Sequence, residues 1–160
     1  MTHAVSPSDD QLRACCAADA WLSRMSPARP FPSAQDALDL SDAIVLGLDD
    51  SALEQALAAH ARIGEPRLGS TTEDRWSRSE QAGALAVDTD VQERLAEGNR
   101  RYEERFGHVF LIRAAGRSAE EMLAALEQRI GHDDETERDV VRQELAGIVR
   151  LRLLKLVSAG

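Results

Sequence analysis

Histidine is the residue type that best suits acid/base chemistry at neutral pH, and this chain of 160 residues has four, of which His60 is one. An unperturbed imidazole has a pKa near ~6.5, so it both accepts and donates a proton under physiological conditions. His60 lies near the predicted end of a helix, where a histidine also interacts favourably with the last carbonyls. A catalytic role and a helix-ending role are therefore both open for it. We expect His3 to lie at a frayed terminus, and His108 and His132 to lie at the surface.

Ser77 and Glu80 have the spacing of a capping box, which predicts that a short helix begins at Ser77. In that pattern the Glu80 carboxylate accepts a hydrogen bond from the Ser77 backbone N–H, which is a structural role. A helix N-terminus also offers free N–H groups and a positive dipole to a carboxylate ligand, so the two roles are compatible. Gln81 follows directly, and its amide is either a ligand-binding group or an ordinary surface group.

Two further segments, 109–112 and the predicted last helix, contain residues that are considered as functional candidates. Val109–Ile112 is an apolar run too short for a helix, and it predicts an extended, buried segment. Phe110, Leu111 and Ile112 are then most simply core residues. Arg152 lies on the predicted last helix, where it either pairs with an anion or forms an exposed ion pair of little energetic value.

Composition and missing motifs exclude several function classes. The net charge of −9 repels phosphate backbones and argues against nucleic-acid binding. The sequence has no glycine fingerprint for dinucleotides, phosphate-binding loop, zinc-protease motif, paired-cysteine motif or nucleophile elbow. Its longest clean apolar stretch, 43–48, is too short to cross a membrane, and its first ten residues do not resemble a secretory signal. The adjacent Cys15 and Cys16 are expected to be reduced thiols in the cytoplasm.

Apolar residues recur at helical spacing along almost the whole chain, which predicts an all-α fold of seven to eight helices. Length predicts one compact domain over residues 1–160, with 1–8 frayed. The first helix is expected to start after Ser8 and to continue past Leu22, and 64–74 is expected to be a loop. Helix starts are predicted at Ser33, Asp49, Ser77, Thr89, Ser118 and Asp134.

Three stretches taken together resemble the 2-oxo-4-hydroxy-4-carboxy-5-ureidoimidazoline (OHCU) decarboxylase family of urate degradation. The first is Ala28-Arg29-Pro30-Phe31, after a helix with Trp21, which is similar to the family's W…RPF segment. The second joins His60-Ala61-Arg62-Ile63-Gly64 to Ser77-Arg78-Ser79-Glu80-Gln81-Ala82-Gly83, similar to H-P-x-[LI] and S-x-x-E-Q-x-G. The third is the segment 99–112, similar to N-x-x-Y-x-x-[RK]-F-G-x-x-F-[VIL]-I, and Arg152-Leu153 is a weaker fourth match. The resemblance covers about residues 12 to 157.

The resemblance implies an all-helical carboxy-lyase that converts the ureidoimidazoline to (S)-allantoin and CO2. It implies a homodimer that needs no cofactor and acts on a small molecule. The charge, the short apolar stretches, the two thiols and the lack of a metal-ligand pattern separately predict a cytoplasmic protein with no nucleic-acid partner, no membrane partner and no metal. The resemblance implies that His60 is the catalytic histidine and that Glu80 acts with it. For substrate binding it implies Ala61, Ser77, Gln81, Phe110, Leu111, Ile112 and Arg152.

Ala61 is the one departure from the family pattern that matters here, because the family carries proline directly after the histidine. Proline would fix φ near about −65° and remove an N–H, whereas alanine adopts the same φ at greater entropic cost. A non-catalytic helical interaction module of the same family is therefore the alternative function. The enzyme requires His60, Glu80 and Gln81 to converge on one cavity, whereas the module would expose an apolar patch.

Overall fold

The fold consists of α-helices over the part of the chain that the structure describes. The structure, a computed structural model, describes residues 3–65, 69, 71–82 and 89–158. Its helices are α1 (Asp9–Cys15), α2 (Asp19–Met25), α3 (Ala34–Leu46), α4 (Asp50–Leu57), α5 (Thr72–Glu80), α6 (Thr89–Phe106), α7 (Ala119–Arg129) and α8 (Asp134–Ser158). In these ranges extended pairing is limited to one antiparallel bridge. The predicted all-α class is confirmed.

The chain divides into two compact units. One combines residues 1–56 with 142–160, and the other comprises 57–141. The segments that contain His60, Ser77 and Asn99 all belong to the second unit, whereas Arg152 belongs to the first. A single domain over the whole chain stays a prediction.

The W…RPF segment is structural in the first unit. Trp21 is fully buried. The Arg29 guanidinium donates to the Pro7 carbonyl over 2.7 Å, which ties down the chain before α1. Phe31 and Val5 exchange two backbone hydrogen bonds of 2.8 and 3.0 Å. These contacts hold the N-terminal segment in place at Val5.

The N-terminal helical region is two helices rather than the predicted one. Ser8 caps α1 in a capping box with Gln11, which confirms the predicted start. The backbone is extended at Cys16 and Ala18, which separates α1 from α2. Both residues are buried in this extended form. The apolar spacing therefore continues across the break and gives no sign of it.

α5 begins earlier than the sequence analysis predicted. Thr71 is its N-cap and forms a capping box with Asp74, so the predicted loop over 64–74 is wrong from Thr72 onward. Ser77 lies inside α5, and the helix start predicted there is wrong. The Thr71-x-x-Asp74 box has aspartate where the usual pattern has glutamate or glutamine, which explains why the pattern missed it. The continuation of the predicted helix over 83–88 lies outside the described residues.

The core of the second unit forms where α6 and α7 pack together. A Cβ on Gly98 of α6 would lie 2.4 Å from Leu126 Cδ2 of α7, so glycine permits this close approach. Ser118 caps α7 through the predicted box with Glu121. The predicted segment 109–112 is non-helical, and its residues 110–112 are buried as predicted, whereas Val109 is half-buried. The buried apolar cluster contains Ile63, Val91, Leu95, Tyr102, Phe110, Ile112, Ala114, Ala119, Met122, Leu123 and Leu126.

Candidate functional site

His60 lies three residues beyond α4, near the predicted helix end. Its backbone N–H donates to the Leu57 carbonyl over 3.0 Å and closes the last turn. The residue is half-buried. The helix end therefore fixes the His60 backbone from its N-terminal side.

Two buried amide side chains hold the backbone directly after the candidate histidine. Gln81 Oε1 accepts from the Gly64 N–H over 2.9 Å, and Gln81 Nε2 donates to the Arg62 carbonyl over 3.2 Å. Asn99 Nδ2 donates to the Ile63 carbonyl over 2.9 Å. Gln81 and Asn99 are only 5% and 3% exposed. Three successive residues of this loop are thus each bonded to a side chain distant in sequence.

Conformation and charge also restrain this loop. Gly64 has φ of +92°, a left-handed value that glycine adopts without the steric cost of a Cβ. Ile63 is buried in the core of the second unit. The Arg62 guanidinium forms a two-pronged ion pair with the Glu103 carboxylate, with Nε–Oε2 and Nη2–Oε1 distances of 2.9 Å. This pairing with Glu103 raises the pKa of Arg62 above its usual value.

Glu80 and Gln81 follow Ser77 by three and four residues at the C-terminal end of α5. Residues at this spacing lie on the same helix face, so both lie near Ser77. The Ser77 carbonyl accepts from the Gln81 N–H over 3.1 Å, which orders the helix end that carries Gln81. Ser77 is not an N-cap, so the capping role considered for Glu80 is wrong. The proposed anion site at a helix N-terminus beginning at Ser77 is wrong for the same reason.

Phe110, Leu111 and Ile112 are core residues, with exposed fractions of 1%, 3% and 2%. The Phe110 ring packs edge-on against Tyr102 with centroids 5.3 Å apart. The Arg129 guanidinium lies 4.5 Å from the Phe110 ring centroid and donates to the Leu111 carbonyl over 2.8 Å. This burial favours the core role that the sequence left open. A substrate-lining role stays a prediction.

A buried polar network that the sequence did not predict supports this segment. Glu137 is 1% exposed and pairs with Arg129, with an Nη2–Oε2 distance of 2.6 Å. The Tyr102 hydroxyl donates to the same carboxylate. Burial, together with this bond to Glu137, raises the pKa of Tyr102 well above its usual value. His132 Nδ1 lies 3.1 Å from Glu137 Oε1, so His132 is partly buried rather than at the surface.

The tyrosine of the N-x-x-Y motif was the one sequence signal for this network. Glu137 lies among other acidic residues in the first turn of α8, and nothing in its spacing marks it as buried. His108 was also expected at the surface, but it packs against the Tyr102 ring with centroids 5.5 Å apart.

Arg152 is not an exposed ion-pair residue. It is 3% exposed, and its Nη1 lies 3.4 Å from the Ala14 carbonyl in the first unit. Its predicted role toward substrate stays a prediction.

Neither a metal-holding cluster nor a membrane-spanning helix is found in the part of the chain that the structure describes. Within residues 3–65, 69, 71–82 and 89–158, no group of three or more His, Cys, Asp or Glu side chains is placed to hold a metal ion. Within the same ranges no helix combines the length and hydropathy of a membrane span.

Comparison with known proteins gives consistent matches. The sequence model described as OHCU decarboxylase matches residues 7–154. A bifunctional uric acid degradation protein of Arabidopsis thaliana is 31% identical over 158 residues, which are 97% of this chain and 49% of that protein. The chain therefore spans about half the length of that relative.

Two other relatives match over most of their own length. A 2-oxo-4-hydroxy-4-carboxy-5-ureidoimidazoline decarboxylase of Haloferax volcanii is 31% identical over 87% of this chain and 82% of its own length. A crystal structure of an OHCU decarboxylase in the presence of (S)-allantoin superposes with a TM-score of 0.81 at 28% identity. The superposition covers 95% of this chain and 99% of the chain in that crystal structure.

Proposed function

The chain belongs to the OHCU decarboxylase family, and we propose that it decarboxylates 2-oxo-4-hydroxy-4-carboxy-5-ureidoimidazoline to (S)-allantoin and CO2. One observation carries this proposal. The His60 segment, the S-x-x-E-Q segment and the N-x-x-Y segment meet at the backbone that follows His60. Gln81 and Asn99 reach this backbone from 17 and 36 positions away in the sequence. Three of the segments that suggested the family, all in the second unit, therefore form one local structure.

The substrate's own chemistry determines what the protein must supply. Its carboxylate lies on a ring carbon next to an imine-like carbon, so the electrons released with CO2 flow into that C=N bond. This built-in electron sink makes a cofactor unnecessary for the reaction we propose. The protein must orient the carboxylate perpendicular to the conjugated plane, move one proton, and deliver the new proton to one face.

We assign the proton transfer to His60, because imidazole exchanges protons near neutral pH. The Glu80 carboxylate is an acceptor for the ureido or ring N–H groups of the substrate. Gln81 uses both ends of its amide on the loop, so its contribution to substrate binding is to hold Arg62 and Gly64 in place. Ala61, Ser77 and the segment 110–112 complete the proposed site residues of the second unit. For Arg152, in the first unit, the substrate-binding role stays what the family resemblance implies.

The assembly that we propose follows the resemblance, and the location follows the two reduced thiols expected at Cys15 and Cys16. We propose a homodimer in the cytoplasm, acting on a small molecule. Light scattering after size-exclusion chromatography tests the dimer through the molar mass in solution.

Chiral detection of allantoin tests the proposed reaction. Freshly generated substrate is incubated with the protein, and the circular dichroism of the product is followed alongside a reaction without enzyme. This control is essential because the substrate decays by itself to racemic allantoin. We expect an excess of (S)-allantoin, whereas racemic product formed at the spontaneous rate would contradict the proposal.

A further inference from the structure

We infer that Asn99 is a positioning residue that acts on the reaction through the His60 loop. The inference rests on the proposed function, in which His60 transfers the proton. Asn99 Nδ2 donates to the Ile63 carbonyl over 2.9 Å, three residues after His60. Asn99 is 3% exposed, so this bond is shielded from competing water.

The oxygen of the Asn99 amide, Oδ1, indicates that packing is not the reason for an amide at this position. Among the described residues, Asn99 Oδ1 is buried and has no hydrogen-bond partner. Burying an acceptor without a partner costs free energy, so an apolar side chain of the same outline would suit packing alone better. The amide at this position is therefore explained by the bond that its Nδ2 makes to the loop.

The helix that carries Asn99 is itself held in position. Tyr102 lies one turn further along α6, is fully buried, and donates to the buried Glu137 carboxylate. Glu137 also pairs with Arg129, which is bonded to the Leu111 carbonyl. One face of α6 thus connects the His60 loop to the segment 110–112. Asn99 places the loop relative to a fixed element rather than to another loop.

Gln81 holds the same loop from the other side. It bonds to the residues before and after Ile63, whereas Asn99 bonds to Ile63 itself. Without the Asn99 donor, the loop keeps two bonds but loses the central one. We therefore expect a loop that still folds but positions His60 less well, which lowers turnover rather than binding.

The Asn99→Leu variant tests this inference. Leucine has a similar branched outline and a better helix propensity, but it has no donor. Asn99→Ala is measured beside it, so that the result does not depend on leucine fitting the site. We expect both variants to lower kcat by at least about tenfold and to leave KM within about twofold.

Val91→Ala is the matched control, because Val91 lies on the same helix as Asn99 and in the apolar cluster of the second unit. Its loss of methyl groups lowers the melting temperature without touching the loop bond. We expect Val91→Ala to keep kcat within about twofold. Equal losses of kcat in Val91→Ala and the Asn99 variants would reduce Asn99 to a merely structural role and overturn the inference.

The NMR signals of the histidine rings give a readout independent of activity. The chain has four histidines, and the His60 signal is identified by its absence in His60→Asn. We expect the Asn99 variants to shift or broaden the His60 signal while the His3 and His132 signals stay in place. An unchanged His60 signal together with unchanged kcat would overturn the inference.

His60→Asn separates this inference from the proposed function. If His60→Asn keeps near wild-type turnover, the proposed role of His60 fails. If His60→Asn loses turnover while the Asn99 variants keep it, only the positioning role of Asn99 fails.

Discussion

Glu80 is the residue whose role the structure changes most. With the cap of α5 at Thr71 and Asp74, the Glu80 carboxylate has no capping task, and its half-buried place on the last turn agrees with substrate binding. We expect Glu80→Gln to lower turnover by about 100-fold or more. The free energy of unfolding should change by less than about 1 kcal/mol, because glutamine keeps the size and helix propensity of glutamate.

Thr71→Ala provides the control for that experiment. It removes the real cap and should lower the free energy of unfolding by about 0.5–2 kcal/mol while leaving turnover intact. Comparison of kcat and denaturant midpoints for the two variants checks both expectations. Unchanged kinetics in Glu80→Gln would remove Glu80 from the proposed site.

Ala61 is a place where the family's proline should be accepted. Among the described residues no non-glycine residue has positive φ, and the Ala61 N–H has no backbone acceptor. We therefore expect Ala61→Pro to stabilise the protein by about 0.4–1 kcal/mol, mainly by restricting the unfolded chain. The melting temperature should rise by a few degrees and kcat should stay equal or rise.

Thermal unfolding and steady-state kinetics of Ala61→Pro check this expectation. A loss of several kcal/mol would mean that the loop holds Ala61 in a conformation proline cannot reach. The loop would then differ from the family's, and the role carried over to His60 would need to be reassigned.

At the scale of elements, capping chemistry predicted helix starts well where its usual residues occur. Ser8, Ser33 and Ser118 each cap the helix predicted to follow. It failed at α5, because the helix already begins at the Thr71–Asp74 box, which places Ser77 and Glu80 inside the helix rather than at its start. The pairing of Arg129 with Glu137 could not be predicted from the sequence. A charged residue in the acidic first turn of a helix is expected to be exposed to solvent unless its buried partner is known.

Tyr102 should make the stability of the second unit sensitive to alkaline pH. Its pKa is raised in the folded protein, so the folded state keeps the hydroxyl proton that the unfolded state loses near pH ~10. The contribution of Tyr102 to the free energy of unfolding is complete below that pH and is lost as the pH rises further. Because Tyr102 is the only tyrosine, tyrosinate absorbance reports it directly. We expect no tyrosinate near pH ~10 until the protein unfolds.

Tyr102→Phe is the comparison variant. It removes one donor from the buried Glu137 carboxylate, so we expect a loss of about 1–3 kcal/mol at neutral pH. The stability difference from wild type should shrink above pH ~10, because phenylalanine does not titrate. Ionisation of Tyr102 at the usual pH in the folded protein would show that the bond to Glu137 is weak.

At the scale of the whole molecule, periodicity alone predicted the all-α class, and four short motifs predicted the family. Both signals are local in sequence. The bonds that Gln81 and Asn99 make to the loop join residues 17 to 36 positions apart, and no periodicity encodes such pairs. The sequence therefore predicted which segments matter, but not that two of them hold the third.

The enantiomeric composition of allantoin formed by wild type and by His60→Asn tests whether His60 transfers the proton in the proposed reaction. Both reactions start from freshly generated substrate and are compared with a reaction without enzyme. We predict that wild type gives (S)-allantoin, and that His60→Asn is at least about 100-fold slower, with product approaching the racemate of spontaneous decay. Formation of (S)-allantoin by His60→Asn at a rate near wild type would contradict the account.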